Sequence, residues 1–176
     1  VKLLGDEGIE GDCPNDLDPP LVRRVAAAFG LHLRGQSRAA PQTPSVAIAG
    51  DGRPVVAECL GALAEGLRWA GCNVVDVGSA TAACVAFAVD HFHLDGGVLV
   101  GNPAGQVHTA GLKFWCGGSR PVSSGAELEE IWGILESGLD RPTRKYGGLR
   151  RLQVEAVYLS SSLVAGPRSG LAADAT

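Results

Sequence analysis

The chain has 176 residues, of which 45% are apolar and 19% charged, so it reads as a folded protein with room for one domain and a short extension. A net charge of −4 argues against non-specific nucleic-acid binding as its main task. No apolar run approaches the roughly 18 residues of a membrane span, and the first residues, Val1-Lys-Leu-Leu-Gly-Asp-Glu7, lack the apolar stretch of a signal peptide. Residues 1–17 are polar, acidic and glycine-rich. Asp18-Pro19 then supplies an N-cap followed by proline at the first helical position. Val22, Val25, Ala26 and Phe29 share one face of the helix that follows, and Gly30 is its expected end, with a polar loop over 33–44. Ser45–Ala49 reads as a short buried strand, stopped by Gly50-Asp-Gly-Arg-Pro54.

A second helix is expected from about Val55 to Ala70, with Val56, Leu60, Leu63 and Leu67 inward and Gly71 as its stop. Asn73–Gly78 is the next strand, and Thr81 to about His91 an alanine- and valine-rich helix. Gly97–Val100 is apolar on both faces, as in the middle of a covered sheet. Leu112–Cys116 is a fourth strand. Ser124-Gly-Ala-Glu127 has the form of a capping box and opens a helix with Leu128, Ile131, Trp132 and Leu135 on one face. Segment 140–151 is a basic linker, 152–164 a last apolar segment. Strands alternating with helices define an α/β layered domain.

In an open parallel sheet, ligands sit at the carboxyl ends of the strands. Three loops qualify: 50–54, 78–81 and the long glycine-rich stretch after Val100. In the first, Arg53 suits a phosphate or a neighbouring loop, but a local pair with Asp51, itself capping the turn, is the stronger expectation. In the third, His108, Thr109 and Lys113 are the side chains with useful chemistry, Lys113 as an acid/base, a phosphate contact or an ordinary surface lysine. His91-x-His93 points two rings apart on a helix and reads as a polar helix end rather than a metal pair. The acidic residues of the N-terminal run do not have calcium-loop spacing. Five scattered cysteines without a Cys-x-x-Cys pair suggest reduced, buried thiols in a cytoplasmic protein. Methionine is absent even at position 1, so the chain is expected to be processed, edited or cut from something longer.

Several segments together resemble the α-D-phosphohexomutases (phosphoglucomutase/phosphomannomutase). They are Gly5-Asp-Glu-Gly-Ile-Glu-Gly11 and the helix ending Ala-Ala-Phe-Gly30, Ala49-Gly-Asp51-Gly-Arg53-Pro, Ala64–Gly71 with Val-Val-Asp-Val-Gly78, Asp95–Val100, Gly111-Leu-Lys-Phe114, and Glu127–Ile131. The resemblance covers about residues 3–160. It implies a three-layer α/β/α domain with a mixed, mostly parallel four-stranded sheet over residues 1–140, with 141–176 as linker and start of a missing second domain. It also implies intramolecular phosphotransfer (an isomerase of carbohydrate metabolism) on a hexose phosphate, by a four-domain enzyme whose serine in this domain carries the phosphoryl group. Mg2+ would be held by aspartates of the absent second domain. No metal site is expected in this chain, no nucleic acid or membrane partner, and as other partners only the missing domains or another protein.

The departures are as informative as the matches. The family's catalytic loop reads Thr-Ala-Ser-His-Asn-Pro. Counting back from Lys113 puts Pro103 at the serine and Ala104 at the histidine. Anchoring on Asn102-Pro103 puts Val100 at the serine. Neither position has a hydroxyl. Glu10 stands where the family has an arginine that contacts the phosphoserine, and Ala49-Gly50 where it has Gly-Arg. Two like charges about 4 Å apart at an effective dielectric near 20 repel by roughly 4 kcal/mol, so a glutamate at Glu10 opposes a phosphate there. Lys113 is the main survivor, by resemblance a catalytic acid/base or phosphate contact. Three readings follow: a family domain that has lost phosphotransfer, part of an enzyme with the phosphoacceptor relocated to His108 or Thr109, or a binding or assembly module using Trp115, Trp132 and an exposed inter-domain face.

Overall fold

The computed structural model describes residues 4, 5, 8–36, 43–101, 108–123 and 125–164. Among them are seven strands in one sheet: β1 (Ile9–Asp12), β2 (Ser45–Gly50), β3 (Asn73–Ser79), β4 (Gly96–Gly101), β5 (Thr109–Cys116), β6 (Arg120–Val122) and β7 (Leu149–Arg151). The order is β1-β5-β4-β2-β3-β7, with β6 also paired to β5. Strands β4, β2, β3 and β7 are parallel, and β5 alone runs against its neighbours β1, β4 and β6. The mostly parallel α/β/α architecture is as expected, but the sheet has seven strands rather than four. The additional strands lack an apolar alternation: β1 carries Glu10 and Asp12, β6 is three residues around Pro121, and β7 is an exposed Leu-Arg-Arg at the sheet edge. Strands β1 and β6 each bury a single apolar side chain, Ile9 and Val122, and β7 buries none, so backbone pairing rather than an apolar face defines them.

Helices α1 (Pro19–Gln36), α2 (Pro54–Trp69) and α4 (Ala126–Ser137) are packed in the larger core. There Val46, Ile48, Val98, Val100, Leu112 and Phe114 point toward them, with Phe114 and Phe29 rings 5.1 Å apart. Helices α3 (Ala82–His91) and α5 (Glu155–Val164) lie on the other face, where Ala47, Ala49 and Val75 pack against Val85, Ala88 and Val89. Alternation along β2 therefore sends Val46 and Ile48 one way and Ala47 and Ala49 the other, as the two-residue period of a strand requires.

One local expectation about the helices needs correction. Gly30 does not end α1; the helix continues six residues further, to Gln36. Its lack of a side chain serves the contact with α2 instead, because a Cβ there would lie 2.8 Å from the Cβ of Ala70. Gly66 of α2 answers it, since a Cβ there would meet the Arg23 carbonyl oxygen and lie 2.8 Å from the Cβ of Ala26. At α4 the N-cap is Gly125, without a side-chain cap, and the Glu127 side chain is bound by Arg120. Ser124 lies outside the described residues. At α1 the Asp18 cap is as expected, its Oδ1 accepting from the Leu21 amide at 2.7 Å. At α3 the Thr81 hydroxyl caps the Cys84 amide at 3.3 Å.

All five cysteines are buried and free of disulfides. Burial pushes the thiols of Cys59, Cys72 and Cys116 up to about 12, helped at Cys116 by the Glu127 carboxylate. Trp115 is also buried, against the α3 side of the sheet, so it is not part of an exposed docking face. His91 stacks on Phe87 with ring centroids 4.8 Å apart, and His93 has a φ of 51° just past the helix. The two rings thus end a helix, as their spacing suggests.

Candidate active-site cavity

A cavity of about 1030 Å³ opens at the carboxyl ends of β2, β3 and β4. Asp51 follows β2, Ser79 ends β3 and Gly101 ends β4, and all three line it. The two strands at the far side contribute the charged pair. Glu10 is opposite Gly111 in the β1–β5 ladder, and Lys113 is two residues beyond Gly111 on the same face of β5. Leu99, opposite Lys113 on β4, completes that wall. Register alone therefore places Glu10, Lys113 and Asp51 around one space. Among the ion pairs of the described residues there is no Glu10–Lys113 bridge. The Glu10 carboxyl instead lies over Gly5, where an added Cβ would sit 3.4 Å from its Cδ.

Asp51 and Arg53 pair locally, Nε to Oδ2 at 2.7 Å, and the Arg53 amide donates to Asp51 Oδ1 at 3.1 Å. Arg53 also reaches across to β5, donating from Nη2 to the Thr109 carbonyl at 3.2 Å. It thus holds the start of β5 beside the β2 loop. His108 and Thr109 do not line the cavity. The His108 carbonyl accepts from the Cys13 amide at 2.8 Å, and Thr109 pairs opposite Asp12. Asn102, Pro103 and Ala104 lie outside the described residues.

The remaining wall comes from a part of the chain whose sequence carries no chemical signature. Strand β7 pairs parallel to β3, Arg151 donates from Nε to Asp76 Oδ2 at 3.2 Å, and the buried Val154 leads into α5. Helix α5 then lays Glu155, Tyr158 and Leu159 along the cavity, with Tyr158 edge-on to Phe87 of α3 at 5.4 Å. Ser79 and Thr81 add hydroxyls from the β3 loop. The lining is apolar with a few convergent polar groups, the usual make-up of a small-molecule site. Among the described residues its charges are three carboxylates, on Glu10, Asp51 and Glu155, and the ammonium of Lys113.

Mg2+ takes a shell of oxygen donors in octahedral array. Among the described residues the cavity carboxylates do not gather into a group of three ligand atoms; the group that does, His32, Cys116 and Glu127, lies elsewhere and offers nitrogen and sulfur. These residues do not fit Mg2+.

A covered, mostly parallel sheet with a cavity at its carboxyl ends defines an α/β domain of the open-sheet class, in which ligands commonly sit at that edge. Its family follows from comparison: the model of the phosphoglucomutase/phosphomannomutase alpha/beta/alpha domain I matches residues 1–140, and the chain belongs to that family. A phosphoglucosamine mutase of Corynebacterium jeikeium is 29% identical over 142 residues, which are 81% of this chain and 32% of that protein. A phosphomannomutase of Vibrio cholerae is 27% identical over 151 residues, 86% of this chain and 32% of that protein. The fold is shared with a phosphoglucomutase/phosphomannomutase family protein of Burkholderia thailandensis, with a TM-score of 0.77 at 24% identity, covering 90% of this chain and 34% of that one. The chain thus spans about a third of the length of the relatives it matches. Among the described residues no helix is long and apolar enough to cross a membrane.

Proposed function

We propose that this chain is a phosphohexomutase-type first domain that has lost the phosphoryl-carrying step and is not catalytically competent by itself. One observation carries the reading. The cavity keeps the family's lysine at Lys113, while the chain from Val98 to Val107, which leads up to it from β4, contains no serine or threonine. An activated hydroxyl is what a phosphoserine mechanism needs, and a backbone or a proline ring cannot substitute for it. The charge of the cavity supports the same reading. Among the described residues Glu10, Asp51 and Glu155 line the cavity with Lys113, so a phosphate dianion there would meet more like charge than opposite charge.

In this reading residues 1–140 are the domain proper, and 141–176 lead toward a second domain after β7 and α5 have packed on the sheet. Hexose phosphate is the substrate class of the whole protein, acting in the cytoplasm, with Mg2+ supplied by domains outside this chain. Lys113 would hold a proton or a phosphate oxygen at its Nζ, and Arg53 positions the loop through Asp51 and the Thr109 carbonyl. A coupled assay for conversion of glucose 1-phosphate to glucose 6-phosphate tests the proposal. The 176-residue chain gives no turnover above background; turnover that disappears on Lys113→Ala overturns it.

A further inference from the structure

We propose that His32, Cys116 and Glu127 form a binding site for one zinc-class divalent cation, away from the cavity and independent of the reading given for it. The three residues come from α1, the end of β5 and the first turn of α4. One ligand atom of each lies within 4.8 Å of the others. His32 Nε2 is 3.3 Å from Glu127 Oε1, and Cys116 Sγ is also 3.3 Å from that oxygen. Around a tetrahedral Zn2+, bond lengths of about 2.0 Å to nitrogen and oxygen and about 2.3 Å to sulfur put neighbouring ligand atoms roughly 3.3 to 3.5 Å apart. The two contacts to Glu127 Oε1 therefore stand near the spacing that such an ion imposes, and the third pair lies within 4.8 Å.

The hydrogen bonding of the cluster without an ion is overcrowded. Glu127 Oε1 faces Arg120 Nη2 at 2.9 Å, Gln36 Nε2 at 3.1 Å, Cys116 Sγ and His32 Nε2. That is four neighbours for one oxygen with two lone pairs. The Gln36 amide is also 2.7 Å from His32 Nε2, so that ring nitrogen stands between the Gln36 amide and the Glu127 carboxylate. His32 Nδ1 is buried without a hydrogen-bond partner, and Glu130 Oε1 lies 3.6 Å from it. With the ring proton on Nδ1, Nε2 would offer its lone pair to an ion in the cluster and the Glu130 carboxylate would stand on the side of the opposite N–H, as beside a metal-bound histidine.

Arg120 does not stand in the way. Its shorter bond, 2.6 Å, goes from Nη1 to Glu127 Oε2 and can persist, while the longer one, from Nη2 to Oε1 at 2.9 Å, gives way when Oε1 serves as ligand. The thiol proton of Cys116 passes to solvent when sulfur binds. The cation's two charges and that of Arg120 are then balanced by Cys116, Glu127 and Glu130. Thiolate, imidazole and carboxylate together select Zn2+ or Co2+ over Mg2+ or Ca2+.

The test is titration of the chelator-stripped 176-residue chain, under reducing conditions, with Co2+. The expected result is one saturable equivalent with a thiolate-to-cobalt charge-transfer band and the intense visible bands of tetrahedral cobalt, reversed by Zn2+. Cys116→Ser abolishes the band, Cys13→Ser keeps it, and Glu130→Gln weakens binding about tenfold. Zinc-edge X-ray absorption on the wild-type protein shows one sulfur at about 2.3 Å among nitrogen and oxygen at about 2.0 Å, and it decides the matter even if a variant does not fold. A non-saturable titration, a sulfur-free zinc spectrum, or a band retained by folded Cys116→Ser overturns the proposal and leaves a metal-free Arg120–Glu127 clamp.

Discussion

Glu10 and Lys113 stand on one face of the sheet, in antiparallel neighbours, and both line the cavity at the carboxyl ends of the strands. Ladder register brings them together across about a hundred residues of sequence, so the pair is a property of the fold rather than of either loop. If Glu10 is what makes this wall unfavourable to phosphate, Glu10→Arg raises affinity for glucose 6-phosphate by about tenfold, or about 1.4 kcal/mol. Isothermal calorimetry at low salt reads the change. Equal affinity in the two proteins removes Glu10 from the account.

The contact between α1 and α2 depends on two glycines facing small residues. Gly66→Ala drives a methyl group into the Arg23 carbonyl and the Ala26 side chain. The expected loss is about 3 kcal/mol, seen as a lower urea midpoint at unchanged slope. Gly61 has open space around it, so Gly61→Ala in the same helix is neutral or slightly stabilising.

Acid sensitivity centres on Glu127. Hydrogen bonds from Arg120 hold its carboxyl well below the usual carboxylate range, against the opposing effect of burial. A depressed folded pKa gives stability that is complete above about pH 5 and is lost as pH falls toward the folded value. Glu127→Gln therefore costs about 2 kcal/mol near neutrality, and the gap between variant and wild type narrows on acidification to about pH 3. Urea unfolding of the chelator-treated proteins at both pH values checks this, and a gap that widens in acid contradicts it.

Thiol chemistry offers a test of packing. A shift of Cys72 from its usual 9.0 to about 12, caused by burial, leaves about a thousandfold less thiolate at a given pH. Iodoacetamide at mildly alkaline pH is expected to leave Cys59, Cys72 and Cys116 unmodified in the native protein and to label all of them in urea. Rapid native labelling at any of the three, mapped by peptide mass, shows that its core region opens.

Where an element buries a face, its residues announce it. Val22, Val25, Ala26 and Phe29 are buried as their spacing requires, and β4 is covered on both sides as an uninterrupted apolar run should be. A strand with one buried side chain or none leaves no such pattern, which is why β1 (Ile9), β6 (Val122) and β7 are not legible. Gly30 was misread because glycine has two uses, ending a helix and letting a neighbour approach, and only the position of α2 distinguishes them. At the cavity, Glu10, Asp51 and Lys113 were legible through family resemblance. Tyr158 and Glu155 were not, since α5 reads only as an apolar segment until β7 fixes where it lies. The His32, Cys116 and Glu127 cluster draws on three distant segments, and no local spacing marks it.

The central claim is that this chain carries no phosphoryl acceptor. Incubation of the 176-residue protein with glucose 1,6-bisphosphate, followed by intact mass measurement under conditions that preserve phosphohistidine as well as phosphoserine, tests it most directly. The account predicts an unchanged mass. A gain of one phosphoryl group, mapped to His108, Thr109 or any other residue of the cavity loops, contradicts it.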